Sequence, residues 1–371
     1  MSTKIFIALL NDKFGGAEQV TKLIVNYFLK EGYSVDVFFV TKSKGSFWSE
    51  YEQHSKVKLI RTSILLEKFG FIGFIKNVIK NRKTRYEYAF TSHIYLNALV
   101  SILRGLGLVN TRWFISRDSH SYYLVDKGKK LIFYDFLIKI GYRNQDLLIS
   151  QTEEMREQLL LNNNRNKKIC NFVKVINNPI ELSNVIIDEQ LVVPERSIIA
   201  AGRLMKIKGF DSLLLAFEKF NRSRNYSLII LGDGPEEQNL KMLTNKLGLT
   251  NNVFFLGFQK DVYSYFNKAD ICIVSSVKEG FPNVLLQMMS QNTNVISTLC
   301  AGGIQEIKGL ITCNPEKVDE LYESLVIAST MGRNPENRIL FDEELSKRTI
   351  DSFIFDIRFY LQKLEDGEAQ V

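Results

Sequence analysis

Short apolar runs rich in Ile, Val and Phe recur along this chain, each followed by an amphipathic stretch with helical period, and this alternation limits the fold more than any other feature. Alternating strand and helix signals predict a parallel sheet covered by helices on both faces. In the first half the runs at residues 4–10, 34–40, 89–92, 112–116, 147–150 and 174–176 read as strands, and 17–30 as a helix. In the second half, 197–201, 226–231, 253–256, 271–275 and 294–297 read as strands, with helical patterns such as 210–220 between them. A chain of 371 residues with 45% hydrophobic content is long enough for two cores. The expected class is α/β, with two doubly wound Rossmann-like units in tandem, residues 1–177 and 178–345. The long helical pattern at 345–365 is expected to pack back toward the first unit, leaving 346–371 as a crossover helix and tail.

Charge divides at the same place. Residues 1–177 hold 28 Lys and Arg against 15 Asp and Glu, a net of +13, while residues 178–371 hold 20 against 26, a net of −6. A basic first half can attract a phosphorylated acceptor, an anionic membrane surface or nucleic acid. No aromatic stacking platform or groove-reading motif accompanies the charge, so nucleic acid is not expected. The segment 65–85 interleaves Leu65, Leu66, Phe69, Ile72, Phe74, Ile75, Val78 and Ile79 with Lys68, Lys76, Lys80, Arg82, Lys83 and Arg85. It reads either as an ordinary surface helix or as a face that lies on an anionic bilayer, where each nearby cation contributes about 1 kcal/mol. Four cysteines without Cys-x-x-Cys spacing and only three histidines argue against a metal site and fit a reduced, cytoplasmic setting. The first apolar run is too short for a signal peptide. No run is long enough to span a bilayer.

Two stretches carry the chemistry. Gly202-Arg203-Leu204, with Lys208-Gly209 following, comes directly after the strand signal 197–201, where an open α/β sheet leaves its ligand crevice. Two cations there suit a diphosphate: Arg203 can bond phosphate oxygens bidentately, and Lys208 acts as a point charge. Glu279-Gly280-Phe281-Pro282-Asn283 places a carboxylate in a turn and Pro282 at the expected first position of a helix, where its missing N–H costs nothing. A helix start also favours an anion or hydroxyl nearby. Glu279 alone could equally cap that helix. No Asp-x-Asp pair stands at a strand end to hold a divalent metal, so side-chain cations would have to balance the charge of a bound diphosphate.

The chain resembles glycosyltransferase family 4, the group 1 glycosyl transferases of bacterial surface-polysaccharide type. The resemblance lies in Gly15-Gly16-Ala17-Glu18, Gly202-Arg203-Leu204 with Lys208-Gly209, and Leu231-Gly232-Asp233-Gly234-Pro235. It continues in Val253-Phe-Phe-Leu-Gly257-Phe258, Glu279 through Gln287, and Ala301-Gly-Gly-Ile-Gln-Glu306. It implies the GT-B architecture, two facing Rossmann-like domains with a cleft between them that closes about residues 177–180. It also implies a retaining, metal-independent hexosyltransferase with no cofactor, using a nucleotide sugar, UDP-linked, as donor. The acceptor would be lipid-linked or a saccharide in O-antigen, capsule or exopolysaccharide synthesis, at the inner face of the plasma membrane. On the family pattern Arg203, Lys208 and Glu279 are catalytic, with Glu279 binding donor-sugar hydroxyls helped by the peptide N–H groups of Gly280 and Phe281. Gly16, Gly232, Asp233, Pro282 and Gln287 complete the donor side, although Asp233 could simply cap the next helix.

The family usually has a second Glu at the position of Gln287, contacting the ribose. Gln can still accept a ribose O–H bond and adds a donor. On the acceptor or sugar side the candidates are His93, Arg117 and His120, at strand ends of the first unit. Two other readings keep the architecture: a non-hydrolysing nucleotide-sugar epimerase, and a catalytically silent accessory subunit of a glycosyltransferase complex.

Overall fold

A computed structural model describes residues 3–13, 15–42, 47–64, 67–118, 128–162, 172–182 and 185–367. The chain forms two compact units, residues 1–179 with 350–371 and residues 180–349. Each is built on one parallel sheet. Parallel sheets are buried on both faces and are therefore near-continuously apolar, as in β1 (Lys4–Leu9) and β8 (Ser197–Ala201).

In the first unit β1, β2 (Ser34–Phe39), β3 (Val57–Ile60), β4 (Arg85–Thr91), β5 (Asn110–Arg117), β6 (Leu147–Ser150) and β7 (Val173–Val175) lie in the order 3-2-1-4-5-6-7. The order reverses between β1 and β4, the switch point at which ligands collect in such sheets. On one face α1 (Gly16–Lys30) and the last helix, α12 (Ile350–Glu365), join one core through Phe28, Ile24, Ile354 and Ile357. On the other face lie α2 (Glu67–Lys80), α3 (Ile94–Gly105), α4 (Lys129–Gly141) and α5 (Glu153–Asn162), over cores that contain Phe74, Val100 and Ile138.

In the second unit β8, β9 (Ser227–Leu231), β10 (Val253–Phe255), β11 (Ile271–Val274), β12 (Val295–Thr298) and β13 (Ile311–Cys313) lie in the order 10-9-8-11-12-13. Its switch point falls between β8 and β11. The helices are α6 (Phe210–Asn221), α7 (Glu237–Lys246), α8 (Tyr263–Lys268), α9 (Asn283–Gln291), α10 (Val318–Met331) and α11 (Glu336–Ser346). The Phe217 and Leu325 core lies on one face, and the Phe266, Leu285 and Met289 core on the other.

One expectation changes here. The helical pattern at 345–365 is two helices, α11 and α12, broken at residues 347–349. Arg348 makes the break useful: it is buried, bonds Glu344 at 2.8 Å, and its carbonyl accepts from the Ile180 N–H at 2.8 Å. The chain therefore enters and leaves the second unit at adjoining points.

Candidate functional site

The loops after β8 and β11 straddle the switch point of the second sheet, and their backbones are bonded together. The Val277 N–H donates to the Ile207 carbonyl at 2.8 Å, and the Ser275 hydroxyl to the Lys208 carbonyl at 2.9 Å. Gly209 lies between them in the left-handed region (φ 63°), where a Cβ would fall 2.1 Å from the Ser275 carbonyl oxygen. Only glycine permits that approach.

This junction brings the two sequence-predicted chemistries into contact. Lys208 Nζ lies 2.7 Å from Glu279 Oε2, with side chains 22% and 9% exposed. The Ser276 hydroxyl donates to the other carboxylate oxygen of Glu279, and the Glu279 N–H donates to the Cys300 carbonyl at 2.7 Å. A carboxylate has about four acceptor positions, so Glu279 retains capacity for further hydroxyl donors. Burial pushes the Cys300 thiol up to about 12, with the nearby Glu279 carboxylate a second cause. Among the described residues, the bonds to the Glu279 carboxylate come from Lys208 and Ser276 and not from the first turn of α9. Pro282 occupies the N-cap, with extended backbone (φ −77°, ψ 100°), and not the first helical position expected from sequence. The ring of Phe281 is buried beneath the Arg348 guanidinium at 4.5 Å.

Arg203 sits on the same loop as Lys208 and is exposed, with no side-chain hydrogen bond or ion pair among the described residues. The neighbouring loop after β9 is stitched to it: Leu204 N–H donates to the Asp233 carbonyl at 2.7 Å, and Gly202 N–H to the Leu231 carbonyl at 2.9 Å. Gly232 adopts φ 135°, and a Cβ there would lie 2.0 Å from the Gly202 carbonyl oxygen. The Asp233 side chain is exposed and does not cap α7, whose N-cap is Glu236. Gln287, half-buried in α9, donates its amide to the Tyr263 hydroxyl at 3.3 Å. That leaves its carbonyl oxygen without a protein partner among the described residues. Burial raises the Tyr263 phenol above its ordinary range.

In the first unit, Gly16, His93 and Arg117 stand at the carboxyl ends of β1, β4 and β5. Gly16 opens α1, and Gly15 is its N-cap. His93 is the N-cap of α3: its Nδ1 accepts from the Tyr95 N–H at 3.4 Å, and the two rings stack at 5.0 Å. Burial, with the Lys130 cation second, lowers it to about 4. Arg117 is 4% exposed. Its Nη2 donates to Asn178 Oδ1 at 2.5 Å, its Nη1 to the Ser92 hydroxyl at 3.4 Å, and its Nε finds no acceptor among the described residues. Burial lowers the guanidinium to about 10, against the pull of Glu18. Glu18, in the first turn of α1, is itself raised, burial outweighing its own backbone N–H and the Arg117 charge. His120 lies outside the described residues, as do Leu65, Leu66 and Cys170.

Sequence reasoning missed four residues that hold these groups. Ser276 orients Glu279, and Arg348 covers Phe281. Asn178 belongs to the segment read only as a linker and binds Arg117. Asn97 is wholly buried and ties three strand-end groups together: its Oδ1 accepts from Thr91 Oγ1 at 2.6 Å and the His93 N–H at 3.3 Å, and its Nδ2 donates to the Arg117 carbonyl at 2.8 Å. A lone Asn within the apolar run of α3 was the available signal.

Parts of the sequence, and the fold, are similar to those of known proteins. Residues 186–310 match the glycosyl transferases group 1 family. An uncharacterized glycosyltransferase of Methanocaldococcus jannaschii is 34% identical over 46% of this chain and 43% of its own length. A Campylobacter jejuni enzyme, N-acetylgalactosamine-N,N'-diacetylbacillosaminyl-diphospho-undecaprenol 4-alpha-N-acetylgalactosaminyltransferase, is 30% identical over 47% of each. The matched stretch thus spans about half the length of these relatives. Among solved structures, Anabaena HepE in complex with UDP and glucose superposes with a TM-score of 0.73 at 18% identity, covering 100% of both chains, a likeness of fold. Among the described residues, no helix is long and apolar enough to cross a membrane.

Proposed function

We propose that this chain, a glycosyltransferase of GT-B fold carrying the group 1 family sequence at residues 186–310, moves a hexose or N-acetylhexosamine from a UDP-linked donor to a lipid-linked or saccharide acceptor, with retention and without a metal. The observation that carries the reading is the Lys208–Glu279 pair at 2.7 Å on the sheet switch point, with the exposed Arg203 on the same loop. A diphosphate needs cations, and a sugar needs a fixed acceptor for its hydroxyls. The junction of the two loops offers both.

In this reading Arg203 and Lys208 hold the diphosphate, and Glu279, kept in place by Ser276, accepts sugar hydroxyls. The C1–O bond to the β-phosphate breaks with its electron pair leaving on the phosphate oxygen, where Arg203 and Lys208 stabilise the growing charge. The acceptor oxygen bonds to C1 from the same side, and its proton passes to a phosphate oxygen. No carboxylate nucleophile takes part. The free carbonyl oxygen of Gln287 accepts a ribose hydroxyl, replacing one function of the usual Glu while Tyr263 fixes the amide. The Campylobacter relative's diphospho-undecaprenol acceptor and the UDP held by HepE support the classes of acceptor and donor.

A thermal-shift screen of UDP, GDP and UDP-sugars tests this. UDP is expected to raise the midpoint of the wild-type protein and to raise that of Arg203→Ala much less. An unchanged response in Arg203→Ala would sink the assignment.

A further inference from the structure

We infer that Arg348 is a positioning residue for the donor sugar, acting through Phe281 on the loop that carries Glu279. The inference rests on the assignment of Glu279 to the sugar hydroxyls.

That loop is fixed from two sides. Upstream, the Val277 and Glu279 N–H groups donate to the Ile207 and Cys300 carbonyls at 2.8 and 2.7 Å. Downstream, the ring of Phe281 joins the core to which Leu285 of α9, Phe341 and Leu345 of α11, and Ile180 belong. Glu279 stands two residues before that ring, so any movement of the ring passes into the backbone that carries the carboxylate.

Packing alone does not account for an arginine at position 348. The residue is 5% exposed, its guanidinium lies 4.5 Å from the Phe281 ring centroid, and its Nε donates to Glu344 at 2.8 Å. Its Nη1 is buried without an acceptor among the described residues. A methionine would cover the ring without burying a charge or stranding an N–H. What the guanidinium adds is direction. Glu344 holds one edge of its plane, and a cation over a ring face, shut off from water, is a strong contact. The backbone beneath it is held as well: the Arg348 N–H donates to the Leu345 carbonyl at 2.9 Å, and its own carbonyl accepts from the Ile180 N–H at 2.8 Å. The clamp on Phe281 is therefore built on a fixed segment, the break between α11 and α12.

The effect belongs to the sugar and not to the diphosphate. Arg203 and Lys208 come from the loop after β8, whose Gly202 and Leu204 N–H groups bond the Leu231 and Asp233 carbonyls, contacts that do not involve Arg348. Lys208 reaches Glu279 on a flexible stem and can follow it.

Isothermal titration calorimetry with UDP, UDP-glucose, UDP-N-acetylglucosamine and UDP-N-acetylgalactosamine tests this. Arg348→Met should raise the Kd of the UDP-sugar that wild type binds best by about tenfold, and change that of UDP by less than about twofold. Arg348→Lys, which keeps a cation at the ring, should recover part of the loss. Phe281→Leu should show the same selective loss, and Arg348→Met/Phe281→Leu little more than either, because both break one contact. Unfolding midpoints establish that each variant is folded; should the methionine variant not fold, Arg348→Lys carries the comparison, with its smaller loss confined to the UDP-sugar. A variant at position 348 that weakens UDP as much as the UDP-sugar, or weakens neither, overturns the inference and leaves the transfer reading standing. So do fully additive losses in the double variant. Wild-type protein that binds none of the UDP-sugars removes the transfer reading, and the inference with it.

Discussion

The Lys208–Glu279 pair makes an asymmetric prediction. Glu279 is 9% exposed at its side chain and depends on Lys208 and Ser276 for the two bonds to its carboxylate, whereas Lys208 at 22% exposed retains contact with water. Removing one partner of a fully buried pair costs about 3–5 kcal/mol because the other charge is left uncompensated. Partial exposure of Lys208 lowers this, so Lys208→Met should cost about 2–3 kcal/mol. In Glu279→Gln the amide still accepts from Ser276 and the ammonium can turn to solvent, so the cost falls to about 1 kcal/mol. At about 2–4 °C per kcal/mol for a unit of this size, the midpoints should fall by roughly 4–12 °C and 2–4 °C respectively. The double variant Lys208→Met/Glu279→Gln should be more stable than Lys208→Met alone, since it removes the stranded charge. Thermal unfolding followed by circular dichroism, near neutral pH and at low salt, reads all three. Equal losses in the two single variants, or strictly additive losses in the double, would refute the reasoning.

Other outcomes follow from the same geometry. Gly232→Ala must place a Cβ 2.0 Å from the Gly202 carbonyl at a φ of 135°, so it should lower stability by about 2–4 kcal/mol in urea titrations and weaken UDP binding. A wild-type urea midpoint in Gly232→Ala would contradict the loop structure. His93, lowered to about 4 from an ordinary 6.5, takes up its proton in the unfolded chain first. Stability it supports is present above pH 6.5 and is lost as pH falls toward 4, by up to about 3 kcal/mol. His93→Asn keeps an N-cap acceptor without titrating, and should flatten that part of a stability–pH curve; an unaltered slope would argue against a buried, neutral His93.

What the sequence made legible depended on how local the determining signal was. Strands β1, β8 and β11 are buried on both faces and therefore apolar along their length, and they could be read directly. Arg203, Lys208 and Glu279 follow such strands, so their place at the carboxyl edge was readable too. Strands β3 and β13, both short and only partly buried, were not read. Helix α4 has no contrast between faces, so periodicity could not assign its stripes. The break at residues 347–349 has no local signal: Arg348 is held there by Ile180 and Phe281, far away in sequence. Nor could sequence join Lys208 to Glu279, since their contact depends on β8 and β11 being neighbours in the sheet.

The most direct test of the central claim compares UDP with uridine by isothermal titration calorimetry. If Arg203 and Lys208 form a diphosphate clamp, UDP should bind and uridine should bind weaker by about 2–4 kcal/mol, a factor of roughly 30 to 1,000. Arg203→Ala should close most of that gap. Equal affinity for UDP and uridine, or a gap that Arg203→Ala leaves intact, would contradict the assignment of these cations to the donor diphosphate.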